Sequence, residues 1–293
     1  MVPQCNIGAI KPREETIDRF RELFQDFFDH PAAYALEPFQ IFGNLYYVGD
    51  KKVCMHLLAT EEGLILFDCG YGHTTGMIED SIRKLGFDPR DLKYIVVTHG
   101  HFDHFGSGNV LRQRYGCKVF LSGVDTRLLR ERPDRALVHL GPCPDDEICW
   151  PDVLIEDGDE IVLGSTRIRC MLAGGHTYGT MAFFFPVTQD GVTYRVGYWG
   201  GAGLTTMYGS LCRDYGMPAE KCRRMAETLE KLKREPVEIT LGNHPPQNCT
   251  LEKRQWMLEH PGENPFIHPD GWQTFLTAMT QRLAEFVAAG YGD

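Results

Sequence analysis

No stretch of the 293-residue sequence approaches the ~20 consecutive apolar residues that a membrane-spanning helix requires, and no membrane crossing is expected. The opening residues, MVPQCNIGAIKPREE, lack the basic segment and apolar run of a secretory leader, which points to a cytoplasmic protein. No CxxC pair occurs among the ten cysteines, and their spacing follows no compact disulfide framework, so reduced thiols are expected. Lysine and arginine form no cluster against a formal charge of −10, which disfavours nucleic acid and anionic membrane as partners and leaves a small-molecule substrate. Internal repeats and low-complexity segments are likewise missing.

What is present is a regular alternation of patterns. In PREETIDRFRELFQDFFDH the apolar residues Ile17, Phe20, Leu23, Phe24, Phe27 and Phe28 recur at steps of three and four, the stripe of an amphipathic helix starting after Pro12. The stripe is expected to pack on the body of the protein, a homo-oligomer contact being the alternative. From residue 39 the pattern changes to short apolar runs broken by Gly, Asn and Asp, read as strands. Helical spacing returns in GMIEDSIRKLGF, NVLRQRYG and VDTRLLRER, with LKYIVVTH and KVFLS as strands between them. RPDRALVHLGPCPDDEICWPD reads as a long loop. A second run of strands follows, with a turn at Asp190-Gly191, then helical PAEKCRRMAETLEKLKRE, strand VEITLGNH, a loop, and a terminal helix. Strands then helix then strand, twice over, predicts an α/β protein with an αββα sandwich: two mixed sheets flanked by helices. Residues 1–36 are expected to form a helical extension and 37–293 the sandwich domain.

In YIVVTHGHFDHFGSGN a buried strand runs into three histidines and an aspartate within six positions. His99, His101 and Asp103 alternate and are expected to face one way in an extended turn, with His104 beside them. Zinc usually takes four nitrogen, oxygen or sulfur donors, so this turn is an incomplete shell and further ligands must come from elsewhere. His176 in LAGGHTYGT and His244 in ITLGNHPP also follow predicted strands. Five histidines and one aspartate at strand ends suffice for two metals. His30, His56, His73, His139, His260 and His268 are read as structural or surface residues, His73 and His268 lying in loops nearest to the predicted site.

With these residues in view, the sequence resembles the metallo-β-lactamase superfamily, whose HxHxDH signature stands as His99, His101, Asp103 and His104. EPFQIFGNLYYVG, GLILFDCG, VLIEDGDEIVLGSTRIRCMLAGGHTYGT, LGNHPP and NPFIHPDGW are similar to segments of the third subclass of class B β-lactamases, over roughly residues 37 to 290. The resemblance implies a first zinc on His99, His101 and His176 and a second on Asp103, His104 and His244. It also implies that Asp68 supports the site without binding metal.

One absence narrows the branch. Thioesterase, lactonase and RNA-processing relatives carry a bridging aspartate after the third histidine, whereas here no carboxylate lies between Asp190 and Asp214. Third-subclass β-lactamases also lack it. Their serines are replaced by Trp199, Gly200 and Gly201, a departure that bears on β-lactam recognition. WGGAG reads either as a tight backbone bend or as a place where Tyr198 or Trp199 walls an apolar substrate. The expected chemistry is attack on a carbonyl by hydroxide held between two zinc ions ~3.5–4 Å apart, with Asp103 orienting the water and passing a proton. β-Lactams or another cyclic amide or ester are the candidate substrates. The alternatives are a lactonase, esterase or thioesterase of the same fold, and an iron oxygenase of the persulfide-dioxygenase kind. Iron or manganese suits the same donors.

Overall fold

The computed structural model describes residues 17–143, 147–217 and 220–292, without the side chains of residues 17–21 and Leu23. The expected start of the first helix after Pro12 and the side chains of Ile17, Phe20 and Leu23 therefore lie outside the described residues. The helices are α1 (Ile17–Asp29), α2 (Thr75–Lys84), α3 (Phe102–Phe105), α4 (Gly108–Tyr115), α5 (Gly123–Glu131), α6 (Gly209–Asp214), α7 (Lys221–Leu232), α8 (Thr250–Glu259) and α9 (Gly271–Ala288). The first sheet comprises β1 (Phe39–Phe42), β2 (Leu45–Tyr47), β3 (His56–Thr60), β4 (Gly63–Phe67), β5 (Leu92–Val96), β6 (Lys118–Ser122) and β7 (Val153–Ile155), in that spatial order. The second holds β8 (Glu160–Leu163), β9 (Thr166–Leu172), β10 (Met181–Gln189), β11 (Val192–Trp199) and β12 (Ile239–Gly242), in the order β12-β11-β10-β9-β8.

Both sheets are mixed. β1 to β4 pair antiparallel and β4 to β7 parallel, whereas β8 to β11 pair antiparallel and β11 meets β12 in parallel. Strand alternation divides the side chains between layers. On β4, Ile65 and Phe67 enter the core between the sheets, while Leu64 and Leu66 face the helical layer outside. β10 repeats this with Phe183 and Phe185 inward and Ala182 and Phe184 outward. Because both faces are covered, these strands read as continuous apolar runs. The αββα sandwich expected from the sequence is the fold observed.

The described part of the aromatic stripe of α1, Phe24, Phe27 and Phe28, lies on the protein's own body. Phe27 is fully buried, and Phe24 and Phe28 pack against the same outer core. At the Asp190-Gly191 turn both residues adopt positive φ, 51° and 79°, the geometry of a two-residue hairpin between β10 and β11. Among the described residues three helices escaped the periodicity analysis: α8, whose apolar residues form no stripe, α6, six residues long, and α3, a single turn inside the histidine motif. The predicted loop at 132–152 holds only short 3-10 turns at Pro133–Ala136 and Val138–Leu140, with residues 144–146 outside the described set.

The parallel pairs β4·β5 and β11·β12 end at the same edge of the sandwich. Beyond a parallel strand the chain must leave the sheet, so its loops gather at the carboxyl ends. Hydrogen bonds cross between the sheets there: Met181 N donates to Thr98 O at 2.8 Å, and Cys54 N donates to Asn243 O at 3.0 Å.

Candidate metal centre

Six side chains from three separate chain segments meet at that edge. His99 and His101 follow β5, Asp103 and His104 sit on α3, His176 lies between β9 and β10, and His244 follows β12. The donor atoms of His99, His101 and His176 lie within 4.8 Å of one another, and so do those of Asp103, His104 and His244. The motif is not extended throughout. His101 keeps extended backbone, φ −98° and ψ 149°, and the chain then winds into α3. That turn corrects the expected alternation: Asp103 and His104 are separated from the first pair by helix geometry rather than strand pleat.

Imidazole has two nitrogens, and the one that is pinned decides which is left for a ligand. Nδ1 of His99 meets Thr98 Oγ1 at 3.0 Å, and Nδ1 of His176 meets the Gly203 carbonyl at 2.8 Å. His104 Nδ1 meets Asp68 Oδ2 at 2.8 Å, and His244 Nδ1 meets the Lys52 carbonyl at 2.8 Å. Four Nε2 atoms therefore turn inward. His101 differs, presenting Nδ1 3.1 Å from Nε2 of His176. Ligands of a tetrahedral zinc stand roughly 3.3 Å apart, so this spacing suits a shared cation. His99 Nε2 is buried with no hydrogen-bond partner, and His104 Nε2 faces Asp103 Oδ2 at 3.2 Å without hydrogen-bond alignment. Buried donors or acceptors left unpaired are costly, and a cation supplies what these lack.

Electrostatics separates the two groups. Burial pushes His99, His101 and His176 down, His101 to about 3, so all three rings are neutral, the form that binds a metal. Burial acts on His104 in the same direction, but the carboxylates of Asp103 and Asp68 outweigh it and raise the ring to about 10. Asp103, which burial alone would raise, is held below the usual carboxylate range by His104, His244 and His101. Its Oδ2 stands 3.5 Å from His244 Nε2.

Asp68 anchors this arrangement. It is fully buried at φ 54° and accepts from Thr98 N (2.7 Å), Thr98 Oγ1 (3.0 Å) and Tyr198 Oη (2.8 Å), besides meeting His104. Tyr198 thus points at Asp68 and away from open space. Trp199 is equally enclosed, its Nε1 donating to the Ala173 carbonyl at 3.2 Å. Both are 0 % exposed, which corrects the expectation that either walls a substrate pocket. The glycines beside them act as close backbone. A Cβ on Gly200 would stand 2.3 Å from Thr98 Cβ, and one on Gly203 would stand 3.1 Å from Cε1 of His176.

The other histidines stay outside. His56 is buried between Tyr47 and Tyr198, His139 bonds Tyr215, His260 stacks on Trp256, and His268 accepts from Asp270 N. His73 packs on Phe27 with ring centroids 5.5 Å apart, and the backbone carbonyl of His30 accepts from Ala33 N. Periodicity and motif analysis missed Thr98, Thr206, which bonds the His176 carbonyl at 3.0 Å, and the carbonyls of Lys52 and Gly203, and it gave Tyr198 a place on a substrate wall rather than against Asp68. A hydroxyl directly before His99 was a usable signal for Thr98. Main-chain carbonyls carry none.

No helix among the described residues is long and apolar enough to cross a membrane. The profile of one protein family, described as the Metallo-beta-lactamase superfamily, matches residues 52–237. The probable metallo-hydrolase YqgX of Bacillus subtilis is 24% identical over 225 residues, 75% of this chain and 95% of that protein. The hydroxyacylglutathione hydrolase GloC of Haemophilus influenzae is 26% identical over 156 residues, 53% of this chain and 71% of that protein. Among solved structures, BJP-1, a subclass B3 metallo-beta-lactamase of Bradyrhizobium japonicum, superposes with a TM-score of 0.73 at 27% identity, covering 87% of this chain and 95% of its own.

Proposed function

The chain belongs to the metallo-beta-lactamase superfamily and is a hydrolase of that fold, and on this premise we propose a dinuclear zinc enzyme that opens a cyclic amide or ester, with β-lactams as the first candidate. The observation that carries the proposal is the pair of three-donor groups at one sheet edge, with ring nitrogens turned inward and oxygen partners behind them. In this reading His99, His101 and His176 hold the first ion and Asp103, His104 and His244 the second. When bound, such ions polarise a carbonyl and acidify water.

The chain's own residues do the rest. Asp103 stays ionised at neutral pH and is partly open to solvent, so its free oxygen accepts a hydrogen bond from water and holds the proton released on attack. Asp68 fixes the orientation of His104, and Tyr198 fixes Asp68. The Gly203 carbonyl and the Lys52 carbonyl set the rings of His176 and His244. Substrate approaches from the second group's side, since His244 and Asp103 keep exposed surface while the first three histidines are buried.

The likeness to BJP-1 and the want of a carboxylate between Asp190 and Asp214 support the lactam reading. The likeness to GloC keeps a thioester substrate as the second reading. Elemental analysis with a panel of a chromogenic cephalosporin, lactones and a glutathione thioester decides between them. The expected result is two zinc ions per chain and cephalosporin turnover abolished by chelation and by His244→Ala. Metal-loaded protein that turns over only the thioester would replace the substrate, and about one iron per chain with oxygen consumption would replace the chemistry.

A further inference from the structure

The segment before β1 lies outside the stretch that the family profile matches, yet it reaches the metal centre from two directions. On one side Phe27 and Phe28 of α1 pack on Tyr71, with ring centroids 5.3 and 5.6 Å away. Tyr71 in turn meets Phe102 edge-on at 5.1 Å. Phe102 is the first residue of α3, between His101 and Asp103 in the chain, so its ring fixes how the short helix carrying Asp103 and His104 is seated.

On the other side the turn after α1 grips residues 51 and 52. Lys51 N donates to Tyr34 O at 2.9 Å, and Lys51 Nζ donates to Ala33 O at 3.1 Å. The Lys52 ammonium lies 5.0 Å from the ring centres of both Phe24 and Tyr34, a cation–π clamp. The carbonyl of that same Lys52 accepts from His244 Nδ1. Tyr34 closes the brace, standing edge-on to Phe27 at 5.2 Å and donating to Asp26 Oδ2 at 2.6 Å. By contrast, Thr98, Gly203 and Thr206, which pin the rings of His99 and His176, lie far along the chain from this segment and make their bonds without it.

We propose that the N-terminal segment is a positioning brace for the Asp103, His104 and His244 group, seating α3 through Tyr71 and Phe102 and aiming His244 through Lys52. The inference rests on the metal-centre reading above and deepens it: occupancy of one metal group, and not the other, depends on residues before β1. Partners behind a ligand characteristically change metal affinity by about 10- to 100-fold when removed.

The test is a zinc titration of the metal-free full-length chain by calorimetry, with metal retained after dialysis against graded chelator measured by elemental analysis. His244→Ala identifies which binding event belongs to the second group. Phe27→Ala and Lys52→Met, the latter keeping its backbone carbonyl, are each expected to weaken that event at least about tenfold and leave the other unchanged. Lys52→Met alters a partly exposed side chain and carries the test if Phe27→Ala fails to fold. Two binding events that neither variant moves, or that both variants weaken equally, overturn the brace while leaving the metal centre standing. A parent chain that takes up no zinc removes the metal centre and the brace with it.

Discussion

His99, His101 and His176 are buried rings with no carboxylate among them, whereas Asp103, His104 and His244 include one carboxylate and lean on a second, Asp68. The first group is neutral, and its rings are set by a hydroxyl and a carbonyl. The second holds a protonated imidazole between two acids as long as no metal is there, and it keeps part of its surface open. The physical lesson is one of proton competition: a neutral donor set takes a cation without losing a proton, whereas a set that holds a protonated imidazole must first release one.

The largest effect expected from this contrast falls on activity. Asp103→Asn should lower kcat/KM by about 10³-fold, roughly 4 kcal/mol of transition-state stabilisation, while one zinc per chain remains. Steady-state kinetics with elemental analysis checks it, and loss of both metals together would break the contrast. Next comes stability. Asp68→Ala strands Thr98 N, Thr98 Oγ1, His104 Nδ1 and Tyr198 Oη in the interior, which should cost about 3 kcal/mol or more by urea unfolding of the metal-free chain.

The third effect is a pH dependence with a definite sign. His104 sits at about 10 in the folded, metal-free chain against an ordinary 6.5, so a metal at the second group must expel its proton. Affinity there should rise by up to about tenfold per pH unit between pH 6 and 8, and stay nearly flat at the first group, whose histidines are already neutral. Chelator competition at several pH values separates the two. Without metal, the pairing of His104 stabilises the fold fully below pH 6.5 and is lost as pH climbs through about 10. The smallest effect is Tyr198→Phe, which deletes one buried hydrogen bond to Asp68 at about 1 kcal/mol. Its KM should not move, and a large rise in KM would restore Tyr198 to the substrate wall.

Legibility followed the range of each interaction. Strand and helix patterns are local, so β3, β4, β10 and α2 could be read from short apolar runs bounded by turn residues and from three-four spacing. α8 could not, because its apolar residues make no stripe. Within the motif, residue identities pointed to metal donors, but α3 was invisible because one helical turn is too short to show a period. Trp199 and Tyr198 misled for a related reason: an aromatic beside two glycines reads alike whether it faces a pocket or a core. Asp68 was legible only through family resemblance, since its four partner atoms come from the turn after β5, from α3 and from β11.

By itself the sequence determined the alternating layers, the donor types and the want of a bridging carboxylate, because hydrophobic period and side-chain chemistry are carried residue by residue. Only the tertiary structure decided which ring nitrogen turns inward, which group stays open, and that Gly200 must lack a side chain against Thr98. Those outcomes depend on carbonyls, hydroxyls and close contacts contributed by segments far apart in the chain, and no local pattern encodes where such segments meet.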